Sequence, residues 1–314
     1  MGPADDVLVL FTEEQGAIAD SLGTAASSQA RSVRKVVSPT LTRDGEEAPA
    51  FVAEAMVDAT AIFAPTAFSL SHTRARLEAT RRGARIATMP TITRETFVRC
   101  MSVDYDELER AGERIAAELS DAGTCRITSE AGTDVLLSLE GRTAICDDGN
   151  LQAWAAFGNL PAGEAFIAPV EMSGEGLVVF DGSLAGFGLL HEPLRVTLAG
   201  GRIVDAGGDA GEWLLETLDS GGEAGRVVAE LGIGTNPAAI LTGTVLEDEK
   251  AIGTAHLAFG TNVSFGGVNV AGVHIDGVLL QPTIELNGRL LMQDGESFVF
   301  ARMRSDGASP RGRT

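Results

Sequence analysis

The feature that most constrains the fold of this chain is a change of sequence pattern near residue 123. Before it, short apolar runs alternate with helix-forming stretches, and after Cys125 glycine becomes frequent and short strands recur. Alternating strands and helices are typical of a parallel sheet flanked by helices, and Asn-Gly signals such as that in ELNGR are typical of hairpins. The sequence therefore predicts an α/β domain over residues 1–122, a β-rich domain over residues 123–303 and a flexible tail over residues 304–314.

The apolar periodicity assigns individual elements within the two domains. In the first domain it predicts strands over residues 7–11, 33–37, 59–65 and 84–89. Helix-forming residues predict helices over residues 13–32, 46–57, 71–82 and 105–122. In the second domain a helical pattern remains only over residues 208–218 and 222–231, so the rest is predicted to be strands and turns.

Net charge and cysteine content restrict the partners and the compartment. The chain of 314 residues carries a formal charge of −20. Nucleic acid and anionic membrane surfaces both require a basic footprint, so neither is a predicted partner. Three scattered cysteines are too few for a disulfide framework, and no apolar run reaches the roughly 18 residues that a membrane span needs. We therefore expect a cytoplasmic protein with buried thiols.

Residues 247–276 contain two of the four histidines of the chain. His274 and Asp276 lie two residues apart in an apolar run, so in a strand their side chains share one face. His256 lies in a similar run, and the glycine-rich residues 260–267 are a suitable connection between two neighbouring strands. Two imidazoles and one carboxylate are a ligand set that suits a divalent transition metal. The alternative is three unrelated core or surface residues.

Two glutamates elsewhere in the second domain extend this ligand set. Glu164 lies between a proline turn and an apolar strand, and Glu230 is predicted at the end of a helix, where an acid opposes the helix dipole. Each alone is more typical of a surface position. Together with His256, His274 and Asp276 they supply five ligands, enough for two ions bridged by a carboxylate and water.

Two further charged features lie near the predicted sites. The charge run EDEK at residues 247–250 is interpreted as a solvated face, and the alternative is that Lys250 or one acid orients a ligand. His72 follows the third predicted strand, at the kind of position where open parallel sheets bind ligands. It is a candidate acid, base or substrate contact; the alternative is that Ser69 or Ser71 caps the next helix and His72 is incidental.

The same segments resemble the thermophilic metalloprotease family of the aminopeptidase T type, over nearly the whole chain. The motifs that carry the resemblance are SLSHTRAR, GARIATMP, FGNLPAGEAFIAPVE, AELGIGTNP, LEDEKAIGTAHLAFG and HIDGVLLQPT. The resemblance implies an α/β domain joined to a β-rich cup, a homodimer, and one or two divalent ions (Zn, Mn or Co). The implied ligands are the residues that match the family motifs, namely Glu164, Glu230, His256, His274 and Asp276. The implied activity removes N-terminal residues from peptides, with Glu164 or Glu230 as general base for a metal-activated water.

Two alternatives to this hydrolase remain open. Aminopeptidases of this type have a tyrosine a few residues after the histidine that matches His256, and the stretch LAFGTNVSFGG contains none. The same architecture includes iron enzymes that open 2,5-dihydroxypyridine rings, in which the residues matching His256, His274 and Asp276 form a facial triad around one Fe(II). The substrate is then a small hydroxylated ring, and His72 is the candidate acid–base residue. In the second alternative the chain binds or assembles without turnover.

Overall fold

A computed structural model of the chain describes residues 1–71 and 73–300. Packing divides the chain into two compact units. The first unit comprises Met1–Val103 with Gly149–Ala162, and the second comprises Asp104–Asp148 with the chain from Gly163 onward. These units are a different division from the domain boundary predicted at residues 122–123, which stays a prediction. The predicted tail over residues 304–314 lies outside the described residues.

The described residues form the following helices and strands. The helices are α1 Gly16–Ser27, α2 Ala50–Val57, α3 Arg74–Arg81, α4 Arg94–Cys100, α5 Tyr105–Ser120, α6 Gly208–Ser220 and α7 Val245–Asp248. The strands are β1 Asp6–Phe11, β2 Ser32–Val37, β3 Ala61–Thr66, β4 Arg85–Pro90, β5 Thr124–Thr128, β6 Asp134–Ser138, β7 Ile145–Asp147, β8 Phe157–Asn159, β9 Glu164–Ile167, β10 Glu175–Phe180, β11 Ser183–Leu184, β12 Gly188–Leu189, β13 Leu194–Ala199, β14 Arg202–Ala206, β15 Val228–Gly234, β16 Thr254–Gly260, β17 His274–Leu280, β18 Thr283–Leu286, β19 Arg289–Gln293 and β20 Glu296–Ser297. Within residues 1–71 and 73–300, no helix is long and apolar enough to cross a membrane.

The first unit is built on a parallel sheet with strand order β2-β1-β3-β4-β8. Side chains alternate along β1, so Leu8 and Leu10 pack with residues of α2 and α3, whereas Val7 and Val9 pack with residues of α1. Helices on both faces explain why the central strands are almost continuously apolar. The parallel sheet predicted from strand–helix alternation is therefore confirmed. The short helix α4 was not predicted; the side chain of Thr93 caps its N-terminus.

The second unit contains two antiparallel sheets that share one apolar core. Their strand orders are β14-β13-β10-β6-β5-β18-β19-β20 and β12-β11-β17-β16-β15-β9-β7. Side chains from α5 and α6, including Ile115, Leu119, Leu214 and Leu218, are buried in the same core. The β-rich character predicted after Cys125 is thus confirmed, and α5 packs with these sheets.

One helix predicted for this region is wrong. Residues 222–231 were expected to be helical, but the chain forms a short 3-10 helix, Glu223–Arg226, and then the strand β15. Every residue of β15 is buried, and the strand pairs with β16 on one side and β9 on the other. Pairing on both edges and burial on both faces outweigh the modest helix propensity of the sequence AGRVVAEL. Glu230 consequently lies within a strand and not at a helix end.

Candidate metal centre

Neighbouring strands of one sheet place four of the predicted ligands on a single face. Residues that pair directly across strands share a face, as do residues two apart along a strand. Asp276 of β17 and Glu230 of β15 both pair with Ala258 of β16. His256 is two residues from Ala258, and His274 is two residues from Asp276. The register of three antiparallel strands therefore gathers these ligands.

Glu164 joins the same face from β9, where it pairs with Gly234 of β15. Gly232, two residues before Gly234, pairs with His256. A Cβ atom on Gly232 would lie 2.1 Å from Nε2 of His256, so only glycine leaves room for the imidazole ring. Gly232 is thus a steric requirement of the histidine opposite it, whereas a Cβ atom on Gly234 would instead overlap the carbonyl oxygen of Ala251.

The five side chains form two groups of three donors that share Glu230. Nε2 of His256 lies 3.3 Å from Oε2 of Glu164 and 3.4 Å from Oε1 of Glu230. Nε2 of His274 lies 3.4 Å from Oε2 of Glu230 and 3.4 Å from Oδ1 of Asp276. Ligand atoms bound tetrahedrally at about 2.0–2.1 Å lie about 3.3–3.4 Å from one another. The spacing therefore matches the edges of two coordination polyhedra with Glu230 in common.

Hydrogen bonding around the donors also fits bound metal. Nδ1 of His274 donates to the carbonyl oxygen of Thr261 at 2.8 Å, which leaves Nε2 unprotonated in the neutral ring. Among the described residues, the buried Oε2 of Glu164 makes no hydrogen bond although Nε2 of His256 lies 3.3 Å away, and Nδ1 of His256 also makes none. A buried carboxylate oxygen without a partner is unfavourable unless a cation occupies the space it faces. The residues present therefore fit a divalent metal.

A buried lysine completes what we call the acidic cluster. Nζ of Lys250 lies 3.0 Å from Oε1 of Glu164, 2.6 Å from Oε1 of Glu249 and 3.9 Å from Oδ2 of Asp147. The acidic cluster consists of Asp147, Glu164, Glu230, Glu249, Lys250, His256, His274 and Asp276. With neutral histidines, its five carboxylates and one ammonium carry a formal charge of −4, which two divalent cations would neutralise.

The pKa values of the cluster show the same demand for positive charge. Burial raises the pKa of Glu164 to about 8 against the opposing effect of Lys250. Burial would also raise the pKa of Glu230, but its contacts with His256 and His274 outweigh burial and lower the pKa to about 2. Burial would lower the pKa of His256, but Glu230 and Glu164 outweigh it and raise the pKa to about 9. The raised pKa values mean that Glu164 and His256 hold protons, which partly offset the negative charge of the cluster. A divalent metal ion would replace these protons and offset more of that charge.

The interpretation of EDEK as a solvated face is wrong, since all four side chains are buried. Glu247 and Asp248 accept backbone N–H groups of the preceding loop, from Ile240 and from Thr242 and Gly243 respectively. Glu249 and Lys250 instead face the acidic cluster. From the sequence, Lys250 is only an alternative candidate for orienting a ligand, and Asp147 is not predicted at all. A usable signal was that the ten residues after the run, AIGTAHLAFG, contain no Asp, Glu, Lys or Arg, which is typical of a buried segment.

Two phenylalanine rings lie beside the predicted site. The ring of Phe265 packs edge-on against His274, with centroids 5.9 Å apart, and against Phe166, with centroids 5.5 Å apart. These contacts place an apolar wall beside His274, one of the predicted ligands. His72, the other predicted catalytic residue, lies outside the described residues, so its role stays a prediction.

Comparisons with known proteins add independent findings. The family model NicX, described as 2,5-dihydroxypyridine 5,6-dioxygenase, matches residues 8–299. Aminopeptidase T of Thermus aquaticus is 32% identical over 163 residues, which cover 46% of this chain and only 39% of that relative. The resemblance found from the sequence motifs is thus confirmed for both groups of enzymes.

Two solved structures share the fold. The 2,5-dihydroxypyridine dioxygenase of Pseudomonas putida KT2440 superposes with a TM-score of 0.79 at 19% identity, covering 93% of this chain and 91% of that one. Wild-type AmpT of Thermus thermophilus superposes with a TM-score of 0.74 at 18% identity, covering 95% of each chain. The fold is therefore common to an oxygenase and a peptidase.

Proposed function

Since the chain belongs to the NicX family, whose description is 2,5-dihydroxypyridine 5,6-dioxygenase, we propose that it is a metal-dependent enzyme. Within that fold we assign it a hydrolytic reaction of the aminopeptidase T type, on an N-terminal peptide bond or a related amide. Relatives of both activities share the fold, so the choice depends on the arrangement of the ligands in this chain.

The observation that supports the hydrolase assignment is the position of Glu230 between His256 and His274. Its two carboxylate oxygens face different histidines, Oε1 toward His256 and Oε2 toward His274. Glu164 provides a third donor on the first side, and Asp276 provides one on the second. A carboxylate between two complete donor groups is the arrangement of a two-ion site, in which metal would polarise the scissile carbonyl and acidify a bridging water.

The surrounding side chains hold this geometry. Lys250 donates to Oε1 of Glu164, which leaves Oε2 directed at His256. The carbonyl oxygen of Thr261 fixes the tautomer of His274. Both contacts restrict a ligand to the orientation that binding requires, so they reduce the reorganisation needed when metal binds.

The water that attacks the amide must also lose a proton. Glu164 and Glu230 were the sequence candidates for the base, but both serve as ligands in this proposal: both oxygens of Glu230 and Oε2 of Glu164 face histidines, and Oε1 of Glu164 accepts from Lys250. Glu249 is a third candidate, because it accepts a hydrogen bond from Lys250 and lies near the donor atoms of His256 and Asp276. Burial raises its pKa despite Lys250, which favours a carboxyl that accepts a proton at neutral pH. Of the three, we assign the base to Glu249.

A mononuclear Fe(II) dioxygenase is the second candidate, and the match of the NicX family model over residues 8–299 favours it. His256, His274 and Asp276 are the two histidines and one carboxylate that such a centre needs. Glu164 and Glu230 would then only accept hydrogen bonds. The substrate would be a hydroxylated ring, and His72 is the candidate acid–base residue.

Metal content separates the two candidates. Protein purified without added metal or chelator is analysed by inductively coupled plasma and native mass spectrometry. We expect two ions of Zn, Mn or Co per chain, together with hydrolysis of an amino-acid p-nitroanilide. The Asp276→Ala variant is the control for metal bound elsewhere.

The other results are equally informative. One iron per chain with oxygen uptake on 2,5-dihydroxypyridine would replace the hydrolase by the dioxygenase. Protein that takes up no metal after reconstitution would overturn both proposals and leave a binding or assembly role.

The remaining expectations from the resemblance are part of this proposal. We propose a cytoplasmic homodimer whose second unit forms a cup around the metal centre and accepts a short peptide or small molecule. Light scattering coupled to size-exclusion chromatography tests the dimer, since a monomer at micromolar concentration would contradict it.

A further inference from the structure

The first unit contains a buried guanidinium that no carboxylate neutralises. Arg76 of α3 is only 7% exposed. Its Nε donates to the carbonyl oxygen of Ser71 at 2.6 Å, and its Cζ lies 4.1 Å from the centre of the Phe157 ring. None of the ion pairs among residues 1–71 and 73–300 includes Arg76. A buried arginine is ordinarily paired with an acid, so this charge lacks a partner.

Polar side chains of the parallel sheet surround this position. Phe157 and Asn159 are two residues apart in β8, so Asn159 projects from the same face of the sheet as the ring on which Arg76 stacks. Thr88 of β4 pairs with Asn159 and donates from its hydroxyl to Oδ1 of Asn159 at 2.6 Å. The hydroxyl of Ser71 lies 3.3 Å from that of Thr88.

Two sets of donors remain unused in this group. In the part of the chain that the structure describes, the terminal nitrogens of Arg76 have no acceptor, and Nδ2 of Asn159 donates to none. Asn159 is the last residue of β8, and Thr88 lies in the second half of β4. The group therefore lies toward the carboxyl ends of parallel strands, where open α/β sheets bind ligands.

We propose that Arg76, Asn159, Ser71 and Thr88 form a binding site for the carboxylate of a small molecule. A planar carboxylate accepts two parallel N–H bonds from a guanidinium fork, and the amide of Asn159 supplies a third donor. A single arginine matches a monoanion. No further cation in the described part of the group would balance a phosphate dianion, so a carboxylate is the better fit.

Ligand-observed saturation-transfer NMR on the full chain tests this site, with acetate as the probe and acetamide as its neutral isostere. Because a metal centre also binds carboxylates, the Asp276→Ala variant is measured beside the wild type. We expect acetate, but not acetamide, to bind both proteins. Arg76→Met is expected to weaken acetate binding at least about tenfold, since a charge-assisted pair is lost.

Matched variants keep the result interpretable. Arg74→Met removes an exposed arginine of the same helix and is expected to leave binding unchanged. If Arg76→Met fails to fold, Asn159→Leu removes the amide donor alone and is expected to weaken binding severalfold. Equal acetate signals in the wild type and in a folded Arg76→Met or Asn159→Leu variant would overturn the proposal. So would loss of the acetate signal in Asp276→Ala, because that result places the carboxylate at the metal.

Discussion

The acidic cluster of the second unit has an excess of negative charge, whereas Arg76 of the first unit is a positive charge without a counterion among the described residues. The cluster combines five carboxylates with one buried ammonium, whereas Arg76 is a buried cation without a carboxylate. Burial of uncompensated charge is unfavourable, so a fold retains it only where something else supplies the missing charge. The sign of each imbalance therefore predicts the sign of the ligand, and the two proposals follow it: a metal cation in the second unit and a carboxylate in the first.

Glu171, a partly buried carboxylate of the second unit, shows by contrast a charge that is paired within the chain. Glu171 accepts hydrogen bonds from Arg142, from Nδ2 of Asn262 and from the backbone N–H of Val268. Every demand of this carboxylate is met within the chain, and it needs no ligand. The following variants test whether the acidic cluster differs from such a pair in the way that its charges indicate.

The largest effect is expected from removing a metal ligand. Asp276→Ala or His256→Ala is expected to lose bound metal and to lower activity more than about 100-fold, beyond the usual effect of altering residues that support a ligand. Secondary structure by circular dichroism is expected to persist, because the ligands project from strands whose opposite faces form the core. Glu216→Ala, which removes an exposed acid of α6, is the control. Full metal occupancy in either ligand variant would refute the site.

Glu164 and Glu247 offer a matched pair of buried acids. Glu164→Gln is expected to weaken metal binding and activity strongly, whereas Glu247→Gln is expected to affect mainly stability, because Glu247 accepts the N–H of Ile240. Activity and metal affinity are measured for both variants. Equal losses would mean that Glu247 also acts at the metal.

Lys250 is the internal cation of the cluster, and its removal tests charge balance directly. Lys250→Met leaves Glu164, Glu249 and Asp147 without their ammonium and is expected to lower the free energy of unfolding by about 3–5 kcal/mol. The control is Lys35→Met, which removes an exposed lysine paired with Asp20. This variant is expected to change the free energy of unfolding by less than about 0.5 kcal/mol. Urea denaturation measures both, and similar values would contradict the role of Lys250.

Gly232 tests the steric side of the centre. In Gly232→Ala the new methyl group would overlap the ring of His256, so the imidazole must move and metal is expected to bind at least about tenfold more weakly. The control is Gly207→Ala, since Gly207 has a φ of −104° and open space around its Cα. Metal affinity is measured by titration for both variants. Unchanged affinity in Gly232→Ala would show that the imidazole of His256 can move without weakening metal binding.

The sequence predicted the parts of this site that depend on local patterns. The spacing of His274 and Asp276 in an apolar strand placed them on one face, and strand–helix alternation predicted the parallel sheet. Asp147 was not predicted, because its contact with Lys250 depends on how segments far apart in the sequence pack. The strand at Glu230 was missed since pairing on both edges overrides local helix propensity. Nothing in the sequence near Arg76 distinguishes it from the exposed arginines of the same helix.

The ion pair of Arg142 and Glu171, which we call the balanced pair, gives the smallest expected effect: a change in how the free energy of unfolding depends on pH. Burial would raise the pKa of Glu171, but the Val268 N–H, Asn262 and Arg142 outweigh it and hold the pKa below its usual value. A carboxyl with a lowered folded-state pKa stabilises the fold above its unfolded-state pKa, near 4.5, and loses that contribution as the pH falls through the folded-state pKa. Glu171→Gln is therefore expected to lower the free energy of unfolding at pH 7 by about 1–2 kcal/mol. It is also expected to flatten the loss of stability below pH 4.5, whereas the exposed-site variant Glu216→Gln is not. An unchanged acid limb in Glu171→Gln would show that the loop carrying Phe265 is held by other contacts, and that Arg142 and Glu171 are not the balanced pair described above.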